Sequence, residues 1–457
     1  MIFETDSRKV KPGQIFVAIK GHTVDGHDYI SDAEKNGASK IIAERKVNTT
    51  VPLEVVNDTQ EYLNENIPKL YSDKLSDLTI VGITGTNGKT TTGYITYELL
   101  NNLGKKTAYI GTLGYASPDE KIETENTTPD ILTTYKLLLH AKKNNIKYVV
   151  MEVSSHALAF ERIKGLKLTI AAFTNLTEDH LDYHKTMENY LHEKLKIVNY
   201  LKDDGTLIVN NDDENSKYFS EKFCHNISLG FKENSDYKVQ STNITPAETT
   251  INFTYQGKDF TVTTNLTSKF NVYNYLTALA ITHALGIDIS QIITSTSIIK
   301  APKGRCETYK VKDAYAVIDY AHTPDAVLKV ITAYNDLKKG KVFTIIGCGG
   351  DRDPIKRPIM GEYASTLSDF CIFTSDNPRT EDPEKIMEDI LKGVKTTNYT
   401  VELDRQTAIK KGLDMLQKND ILLILGKGHE DYQIINHTKI HLDDAEEVKK
   451  YIQKINN

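Results

Sequence analysis

Cysteine pairs and long apolar runs are both missing from this sequence, and each absence excludes a class of protein. The 457 residues contain four cysteines, and none of them forms a Cys-x-x-Cys pair: Cys224, Cys306, Cys348 and Cys371. Their spacing argues against a structural zinc site and against a disulfide framework. No apolar run reaches the roughly 18 residues that span a membrane, and the first residues lack the pattern of a signal peptide. We therefore expect a cytoplasmic protein.

An excess of positive charge is also absent, as are long linkers rich in Pro, Gly and Ser. The net charge is −6, with both signs spread along the chain, which argues against a nucleic acid or an anionic membrane as partner. The chain is too long for one hydrophobic core, so two or three domains are expected. Their boundaries must be inferred from changes in the apolar pattern.

That pattern divides the chain into three parts and predicts an α/β protein. Residues 1–77 hold short strands with a helix between them, and in residues 78–300 apolar runs alternate with helical stretches, which is typical of a parallel sheet. Within this part, residues 237–266 follow a period of two and predict a local antiparallel patch. Residues 301–457 repeat the alternation and predict a separate doubly wound, Rossmann-like domain.

The most informative segment is the glycine-rich run at residues 82–92. It follows an apolar strand and precedes a helical stretch, an arrangement that directs backbone N–H groups at a polyphosphate. Lys89 would neutralise the terminal phosphates, and the Thr90 hydroxyl would bind Mg²⁺. Ile83 stands where the strict P-loop pattern has its first glycine. The context still predicts nucleotide binding.

Two further segments follow predicted strands of this part. Glu152 comes directly after an apolar run and could hold Mg²⁺, although Ser154 beside it could equally mark a helix cap. Residues 174–184 combine acidic side chains with His180 and another histidine. This composition favours a metal or phosphate site, and a plain surface turn remains the alternative.

Lys194 is the least expected residue of the chain. It lies on the apolar stripe of a predicted helix, three residues after Leu191 and four before Val198, whereas Lys196 points away. A buried lysine is costly unless it is paired or chemically altered. A lysine at the edge of the stripe that extends to solvent is the alternative.

In the last part of the chain, four polar loops each follow a predicted strand, at residues 319–325, 347–353, 375–379 and 426–430. Any one of them could be a turn, because turns use the same residue types. Four such loops carrying Arg, Asp and His favour a rim that binds a ligand.

Together these motifs resemble the ATP-dependent Mur ligases of bacterial peptidoglycan synthesis. The motifs that carry the resemblance are residues 85–91, 127–129, 152–156, 319–325 and 376–379, and the similarity covers nearly the whole chain. The resemblance implies three domains: residues 1–77 bind the UDP-linked substrate, 78–300 bind ATP, and 301–457 bind the incoming amino acid. It also implies that Lys194 is carbamylated and holds Mg²⁺ with Glu152 and His180.

The resemblance further implies a contact set for each substrate. Catalysis is assigned to Lys89, Glu152, His180 and Lys194, with Thr90 as an additional magnesium ligand. The implied ATP contacts are Gly85, Thr86, Asn87, Gly88, Lys89, Thr90, Thr91, Asn274, Arg305 and Asp319. The implied contacts to the UDP-linked muramoyl dipeptide are Ser7, His22, Thr23, Val24, Thr127, Thr128, Ser154 and Arg162. The implied amino-acid contacts are Arg352, Asp376, Asn377, Arg379, Gly426 and Glu430.

The implied reaction joins an amine to the D-Glu carboxylate of UDP-N-acetylmuramoyl-L-alanyl-D-glutamate through an acyl phosphate, with release of ADP. An arginine fork at Arg379 suits a second carboxylate, which favours meso-diaminopimelate over L-lysine, and Glu430 would receive the distal ammonium. The alternatives are the lysine-adding ligase, a folylpolyglutamate synthetase-like ligase and a non-catalytic ATP-binding scaffold. We expect a monomer.

Two departures from the family pattern carry expectations of their own. Relatives usually have another helix and strand before Ser7, so the UDP-binding part is expected to be trimmed. Ser268 stands where the family has a glycine, just before a predicted helix at residues 270–285.

Overall fold

The computed structural model describes residues 1–21 and 24–456, so the predicted uridine contacts His22 and Thr23 lie outside the described residues. The strands are β1 Phe3–Glu4, β2 Ile15–Val17, β3 Lys40–Ala43, β4 Leu53–Val55, β5 Thr79–Thr84, β6 Thr107–Gly111, β7 Gly114–Ala116, β8 Lys121–Ile122, β9 Tyr148–Glu152, β10 Leu168–Phe173, β11 Leu201–Asn210, β12 Asn226–Gly230, β13 Tyr237–Ile244, β14 Thr249–Tyr255, β15 Lys258–Thr264, β16 Glu307–Val311, β17 Ala314–Asp319, β18 Val342–Ile346, β19 Phe370–Phe373, β20 Tyr399–Val401, β21 Ile421–Leu425, β22 Tyr432–Ile435 and β23 Thr438–His441.

The helices follow the same order along the chain. They are α1 Ile30–Lys35, α2 Thr59–Tyr71, α3 Lys89–Asn102, α4 Ile131–Lys143, α5 Ser155–Ala159, α6 Leu181–His184, α7 Met187–Leu195, α8 Ser216–Lys222, α9 Lys269–Ala284, α10 Ile289–Thr296, α11 Pro324–Asn335, α12 Lys356–Leu367, α13 Pro383–Leu391, α14 Arg405–Met415 and α15 Asp444–Asn456. Among the described residues, no helix combines the length and apolar character needed to cross a membrane.

Two compact units make up the chain. Unit 1 comprises residues 1–85, 104–209 and 215–226, and unit 2 comprises residues 86–103, 210–214 and 227–457. Both units are α/β, as predicted. The boundaries predicted at residues 77 and 300 stay a prediction.

Unit 1 contains two sheets. The first is wholly parallel, in the order β1-β2-β3-β4. The second has the order β11-β10-β5-β9-β6-β7-β8, with β11 to β6 parallel and β7 and β8 antiparallel. One core packs both sheets: Phe3 of β1, Ile67 of α2 and Tyr135 of α4 are fully buried in the same cluster.

Strand β5 is an interior strand of this second sheet and leads into the glycine-rich run. Its neighbours are β9 and β10, and the register places Glu152 opposite Ile83 and Phe173 opposite Thr84. The carboxyl ends of parallel strands therefore bring Glu152, Gly85 and the segment after β10 to one edge of the sheet. Ligands of such sheets bind at this edge.

Unit 2 contains the antiparallel patch and the doubly wound sheet that the sequence predicts. Strands β13, β14 and β15 pair antiparallel over residues 238–264. The second sheet has the order β16-β17-β21-β18-β19-β20, parallel except for β16, with helices on both faces. Helix α3 packs against α9 in the same unit.

Local sequence signals account for several helix starts. Helix α11 begins at Pro324, with the Thr323 side chain accepting a hydrogen bond from the Ala326 amide. Helix α5 begins after Ser154, whose hydroxyl oxygen accepts a hydrogen bond from the Ala157 amide at 3.1 Å. The capping role considered for Ser154 is therefore present, and it coexists with Glu152 at the end of β9.

Candidate functional site

The buried carboxylate of Glu152 organises the strand-end edge in unit 1. The side chain is 0% exposed and accepts hydrogen bonds from the Thr112 amide at 2.9 Å and from the Tyr109 hydroxyl. The Thr112 hydroxyl donates to its second oxygen at 3.3 Å. Ionised carboxylates accept only, so these donors fix the group in one orientation.

The predicted dipeptide contacts lie around this carboxylate. The Thr128 hydroxyl donates to the Glu152 carbonyl at 2.8 Å, and the Ser154 amide donates to the Thr128 hydroxyl oxygen at 3.1 Å. Arg162 donates to the Thr128 carbonyl at 2.8 Å, and the Thr127 hydroxyl lies 3.0 Å from that of Thr112. The structure therefore brings Thr127, Thr128, Ser154 and Arg162 together in one network.

Lys194 of α7 is buried, with 1% of its surface exposed, so the interpretation as a lysine reaching solvent is wrong. Its ammonium donates to the Gly85 carbonyl at 2.8 Å and lies 4.3 Å from the centre of the Tyr190 ring. The attraction of a cation to a ring face and the bond to the Gly85 carbonyl both offset the cost of burying the ammonium. Lys196 is exposed, as the helical spacing predicts.

Three histidines lie beside Lys194 and Tyr190. The His156 ring centre is 5.0 Å from that of His180, and the His180 ring is 6.3 Å from that of Tyr190. His184 hydrogen bonds to the Ser155 hydroxyl at 3.0 Å. Burial lowers the pKa of His156 and of His184, so both rings are favoured in the neutral form.

These residues fit a magnesium site under one condition. Within residues 1–21 and 24–456, no three His, Cys, Asp or Glu side chains converge as a metal-binding group. An ammonium cannot coordinate a cation, but a carbamate on Lys194 would add oxygen ligands to the Glu152 carboxylate and the His180 imidazole. The donor set then contains the oxygen ligands that Mg²⁺ prefers.

The glycine-rich run, which is predicted to bind nucleotide, continues in unit 2. Gly88 precedes α3 with φ +85°, and a Cβ on it would lie 2.2 Å from Asn274 Oδ1 of α9. Thr92 Oγ1 lies 3.5 Å from the same oxygen. The Lys89 ammonium donates to the Thr86 carbonyl at 2.8 Å. Asn274, predicted from a distant segment of the sequence, therefore lies against this run, and Asn87, Thr90 and Thr91 lie in it or in the first turn of α3.

Arg305 and Asp319 also lie in unit 2, where Arg305 contacts the first turn of α3. Arg305 donates to the Thr90 hydroxyl oxygen at 3.3 Å, and its guanidinium stacks 4.8 Å above the Tyr320 ring. The Asp319 carboxylate accepts from the amides of Cys306 at 2.8 Å and Ala321 at 2.9 Å. Burial raises the Asp319 pKa, and Arg305 opposes the rise. Arg305 thus joins the first turn of α3 to the strand-end loop after β17.

The loops after β18 and β19 bring two arginines together. Arg379 has φ +53° and donates to the Gly350 carbonyl at 2.7 Å. A Cβ on Gly349 would lie 2.9 Å from Arg379 Nη1 and 3.9 Å from Arg352 Cγ, so the two side chains border the same glycine. Arg352 is exposed and Arg379 is half-buried. A guanidinium has five N–H donors, so the bond to Gly350 orients Arg379 while other donors can address a carboxylate.

Asn377 and Glu430 meet between the loops after β19 and β21. Asn377 Nδ2 donates to Glu430 Oε2 at 2.7 Å, and Lys427 Nζ donates to the same oxygen at 3.2 Å. A Cβ on Gly426 would lie 2.7 Å from Asp376 Oδ2. The structure therefore brings Asp376, Asn377, Gly426 and Glu430 together; their role as amino-acid contacts stays a prediction.

Two of the predicted uridine contacts, Ser7 and Val24, are described, and both lie in the region of the first sheet of unit 1. Ser7 is buried in a 3₁₀ turn, and its carbonyl accepts from Asn36 Nδ2 at 2.8 Å. Val24 is 53% exposed, and its carbonyl accepts a hydrogen bond from the Gly21 amide at 2.9 Å.

Several residues of these sites were not predicted from the sequence. Tyr109 and Thr112 hold Glu152, and Lys427 holds Glu430. Thr112 and Lys427 come directly or almost directly after strands, the same signal that identified Glu152. Tyr109 lies within a buried strand, where an aromatic residue normally predicts packing alone.

Comparison with known proteins covers most of the chain. Three family models match: "Mur ligase family, catalytic domain" at residues 2–78, "Mur ligase middle domain" at residues 83–282, and "Mur ligase, glutamate ligase domain" at residues 304–428.

Individual relatives agree with these matches. The chain is 44% identical to a UDP-N-acetylmuramoyl-L-alanyl-D-glutamate–2,6-diaminopimelate ligase of Fusobacterium nucleatum, over 98% of this chain and 93% of the relative. It is 40% identical to a protein of the same description from Clostridium acetobutylicum, over 98% and 94%. A solved structure of a ligase with this description is 31% identical and superposes with a TM-score of 0.71, over 100% of this chain and 95% of that one.

Proposed function

The chain belongs to the Mur ligase family, and from that membership we propose that it adds meso-diaminopimelate to UDP-N-acetylmuramoyl-L-alanyl-D-glutamate in peptidoglycan synthesis. It is an ATP-dependent acid–amino-acid ligase. The observation that carries the choice of substrate is the pair Arg379 and Arg352 at Gly349, together with Glu430 across the same group of loops.

We infer that ATP binds the run from Gly85 to Thr91. The N–H groups at the start of α3 would bind the phosphates, and Lys89 would leave the Thr86 carbonyl to neutralise them. Arg305 is already hydrogen-bonded to Thr90, so it can add a second positive charge from the last part of the chain. Asn274 and Asp319 would complete the contacts.

We infer that the D-Glu carboxylate attacks the terminal phosphate of ATP, giving an acyl phosphate that the amine then attacks while phosphate leaves. Both steps bring anions together, so the contribution of the protein is positioning and positive charge. Thr127, Thr128, Ser154 and Arg162 would hold the dipeptide next to Glu152, which supports attack from the strand-end edge.

One Mg²⁺ held by Glu152, His180 and carbamylated Lys194, and another held by Thr90, would supply the remaining compensation of phosphate charge. Support for the carbamate comes from the burial of Lys194, because an anion bound to a cation avoids the cost of a buried ammonium. Intact-mass measurement under non-denaturing conditions at high bicarbonate tests this directly, with Lys194→Arg as the control that cannot be carbamylated in the same way. The same mass for both proteins, after allowance for the substitution, would exclude the carbamate.

The choice of amine would follow from the arginine pair. Meso-diaminopimelate carries a distal carboxylate that L-lysine lacks, and a guanidinium left without its partner penalises the wrong substrate by about 10³-fold or more. Purified protein with ATP and the UDP-linked dipeptide should release phosphate with diaminopimelate and only slowly with lysine. Equal rates with the two amino acids would contradict the assignment.

We also propose that the enzyme acts in the cytoplasm as a monomer, with binding parts divided at residues 77 and 300. We propose neither a nucleic acid nor a membrane as a partner. The scaffold hypothesis predicts ATP binding without release of phosphate under any combination of substrates, so the same assay separates it from the ligase.

A further inference from the structure

Lys427 is a fully buried cation at the loops assigned to the amino-acid substrate. Its side chain is 0% exposed, and it follows β21 by two residues. A buried ammonium is costly unless all of its donors are paired. The position therefore demands an explanation beyond packing.

All three ammonium protons have acceptors from different segments. Lys427 Nζ donates to Glu430 Oε2 at 3.2 Å, to Asn377 Oδ1 at 3.4 Å and to the Tyr432 carbonyl. These acceptors belong to the loop after β21, the loop after β19 and strand β22. One side chain thus connects both substrate loops to the β22–β23 hairpin.

The hairpin in turn holds the loop that carries the arginine. The Ile434 amide donates to Asn377 Oδ1 at 2.9 Å, and the Arg379 amide donates to the Ile434 carbonyl at 2.9 Å. Gln433 donates to the Asp376 carbonyl at 2.6 Å. The side-chain oxygen of Asn377 accepts hydrogen bonds from Lys427 and Ile434, and its side-chain nitrogen donates to Glu430. These bonds fix the orientation of the Asn377 side chain.

We propose that Lys427 is a positioning residue that sets Glu430 and Asn377 for the ammonium end of the amino-acid substrate; this rests on the proposed function. Lys427 and Asn377 both engage Glu430 Oε2. The other oxygen, Oε1, is then the acceptor for the distal ammonium of the substrate. Lys427 also places a positive charge beside Oε2, which disfavours approach of the substrate ammonium to that oxygen.

The test uses the full-length enzyme, Lys427→Met and two amino acids. Diaminopimelate carries the distal ammonium, and 2-aminopimelate keeps both carboxylates but lacks it. In Lys427→Met we expect kcat/KM for diaminopimelate to fall about 10- to 100-fold, because Glu430 loses its orientation. The value for 2-aminopimelate should change less than about threefold, and KM for ATP should not change.

Lys439→Met is the matched control. Lys439 is exposed on β23 and lies 4.2 Å above the same Tyr432 ring, so its loss tests whether any lysine near this hairpin has the effect. It should leave both amino acids unaffected. Lys427→Arg, which keeps the charge, should recover part of the selectivity.

A double-mutant cycle tests whether Lys427 acts through Glu430. Glu430→Gln should reduce selectivity for diaminopimelate, and Lys427→Met should add little in that background. The double variant carries neither charge, so it also serves if Lys427→Met alone fails to fold. Full additivity of the two effects would overturn the proposal.

The outcomes separate this proposal from the assigned function. A wild-type enzyme that releases no phosphate with diaminopimelate overturns the function itself. An active wild type whose Lys427→Met variant loses both amino acids equally, or neither, overturns only the role of Lys427.

Discussion

Replacement of Ser268 by glycine should stabilise unit 2. Ser268 precedes α9 with φ +84° and ψ 151°, a backbone region that essentially only glycine adopts. Its side chain is 0% exposed, and its hydroxyl has no hydrogen-bond partner among the described residues. The residue that departs from the family pattern is therefore strained and also buries an unsatisfied polar atom.

The surrounding contacts explain why this conformation persists. The Thr267 hydroxyl hydrogen bonds to the Tyr334 hydroxyl at 2.6 Å, and Asn271 Nδ2 donates to the Thr267 carbonyl at 2.7 Å. The Asn271 amide donates to the Ser268 carbonyl at 3.2 Å. The segment is held from both sides, so the backbone of Ser268 cannot relax.

Two effects make up the expected gain. Strain of this kind costs about 1–3 kcal/mol, and a buried hydroxyl without a partner costs about 1–3 kcal/mol. Glycine returns about 0.5–1 kcal/mol through the greater freedom of the unfolded chain. Ser268→Ala removes only the hydroxyl, so Ser268→Gly should exceed it in free energy of unfolding by about 0.5–2 kcal/mol.

Hydrogen exchange of the α9 amides, measured at increasing denaturant concentration, gives the free energy of unfolding around Ser268. A local measurement is needed because a chain with two units need not unfold in one step. Wild type, Ser268→Ala and Ser268→Gly should rank in increasing stability. A glycine variant no more stable than the alanine variant would refute the strain argument. An alanine variant no more stable than wild type would refute the argument about the hydroxyl.

Three further perturbations test other parts of the molecule. Gly88→Ala should abolish ATP binding measured by calorimetry, because the Cβ added at Gly88 would lie 2.2 Å from Asn274 Oδ1. Gly104→Ala should leave ATP binding unchanged, because a Cβ added there would have no atom within 4 Å. The amide and ring of His27 lower the pKa of Asp25 to about 2 from 3.8, so the stability it contributes is present above pH 4 and lost as pH falls toward 2. Asp25→Asn should therefore make unfolding less dependent on pH in that range; an unchanged slope would contradict it. Arg379→Lys should lower kcat/KM for diaminopimelate by about 10²- to 10³-fold without changing KM for ATP, and a loss confined to ATP would place Arg379 elsewhere.

Many residues of the candidate site could be predicted because they lie at or just after the ends of predicted strands. Glu152, Asp319 and Asn377 each come at or just after an apolar run, and in parallel sheets those ends share one edge. The helical period likewise placed Lys194 on the apolar stripe and Lys196 away from it, but it left open whether Lys194 extends to solvent; the structure decides this by burying Lys194. The period of two in residues 237–266 likewise predicted antiparallel strands, because the alternation is visible in neighbouring residues.

The glycine-to-serine departure shows the limit of this approach. The sequence marked Ser268 as unusual only by comparison with a family pattern. That the residue has φ +84° and a buried hydroxyl depends on Thr267, Tyr334 and Asn271, which the fold brings around it. The conformational preferences of neighbouring residues do not predict such contacts.

By itself, then, the sequence determined the alternation of strands and helices, the glycine-rich run and the loops that carry charge, because each is encoded within about ten neighbouring residues. Only the tertiary structure decided which distant groups meet: Asn274 against Gly88, Arg305 against Thr90, and Lys427 between Asn377 and Glu430. These contacts join segments up to 215 positions apart, since Arg305 and Thr90 are separated by that distance along the chain. Burial and hydrogen-bond geometry determine these contacts, and both depend on how distant segments pack in the folded protein.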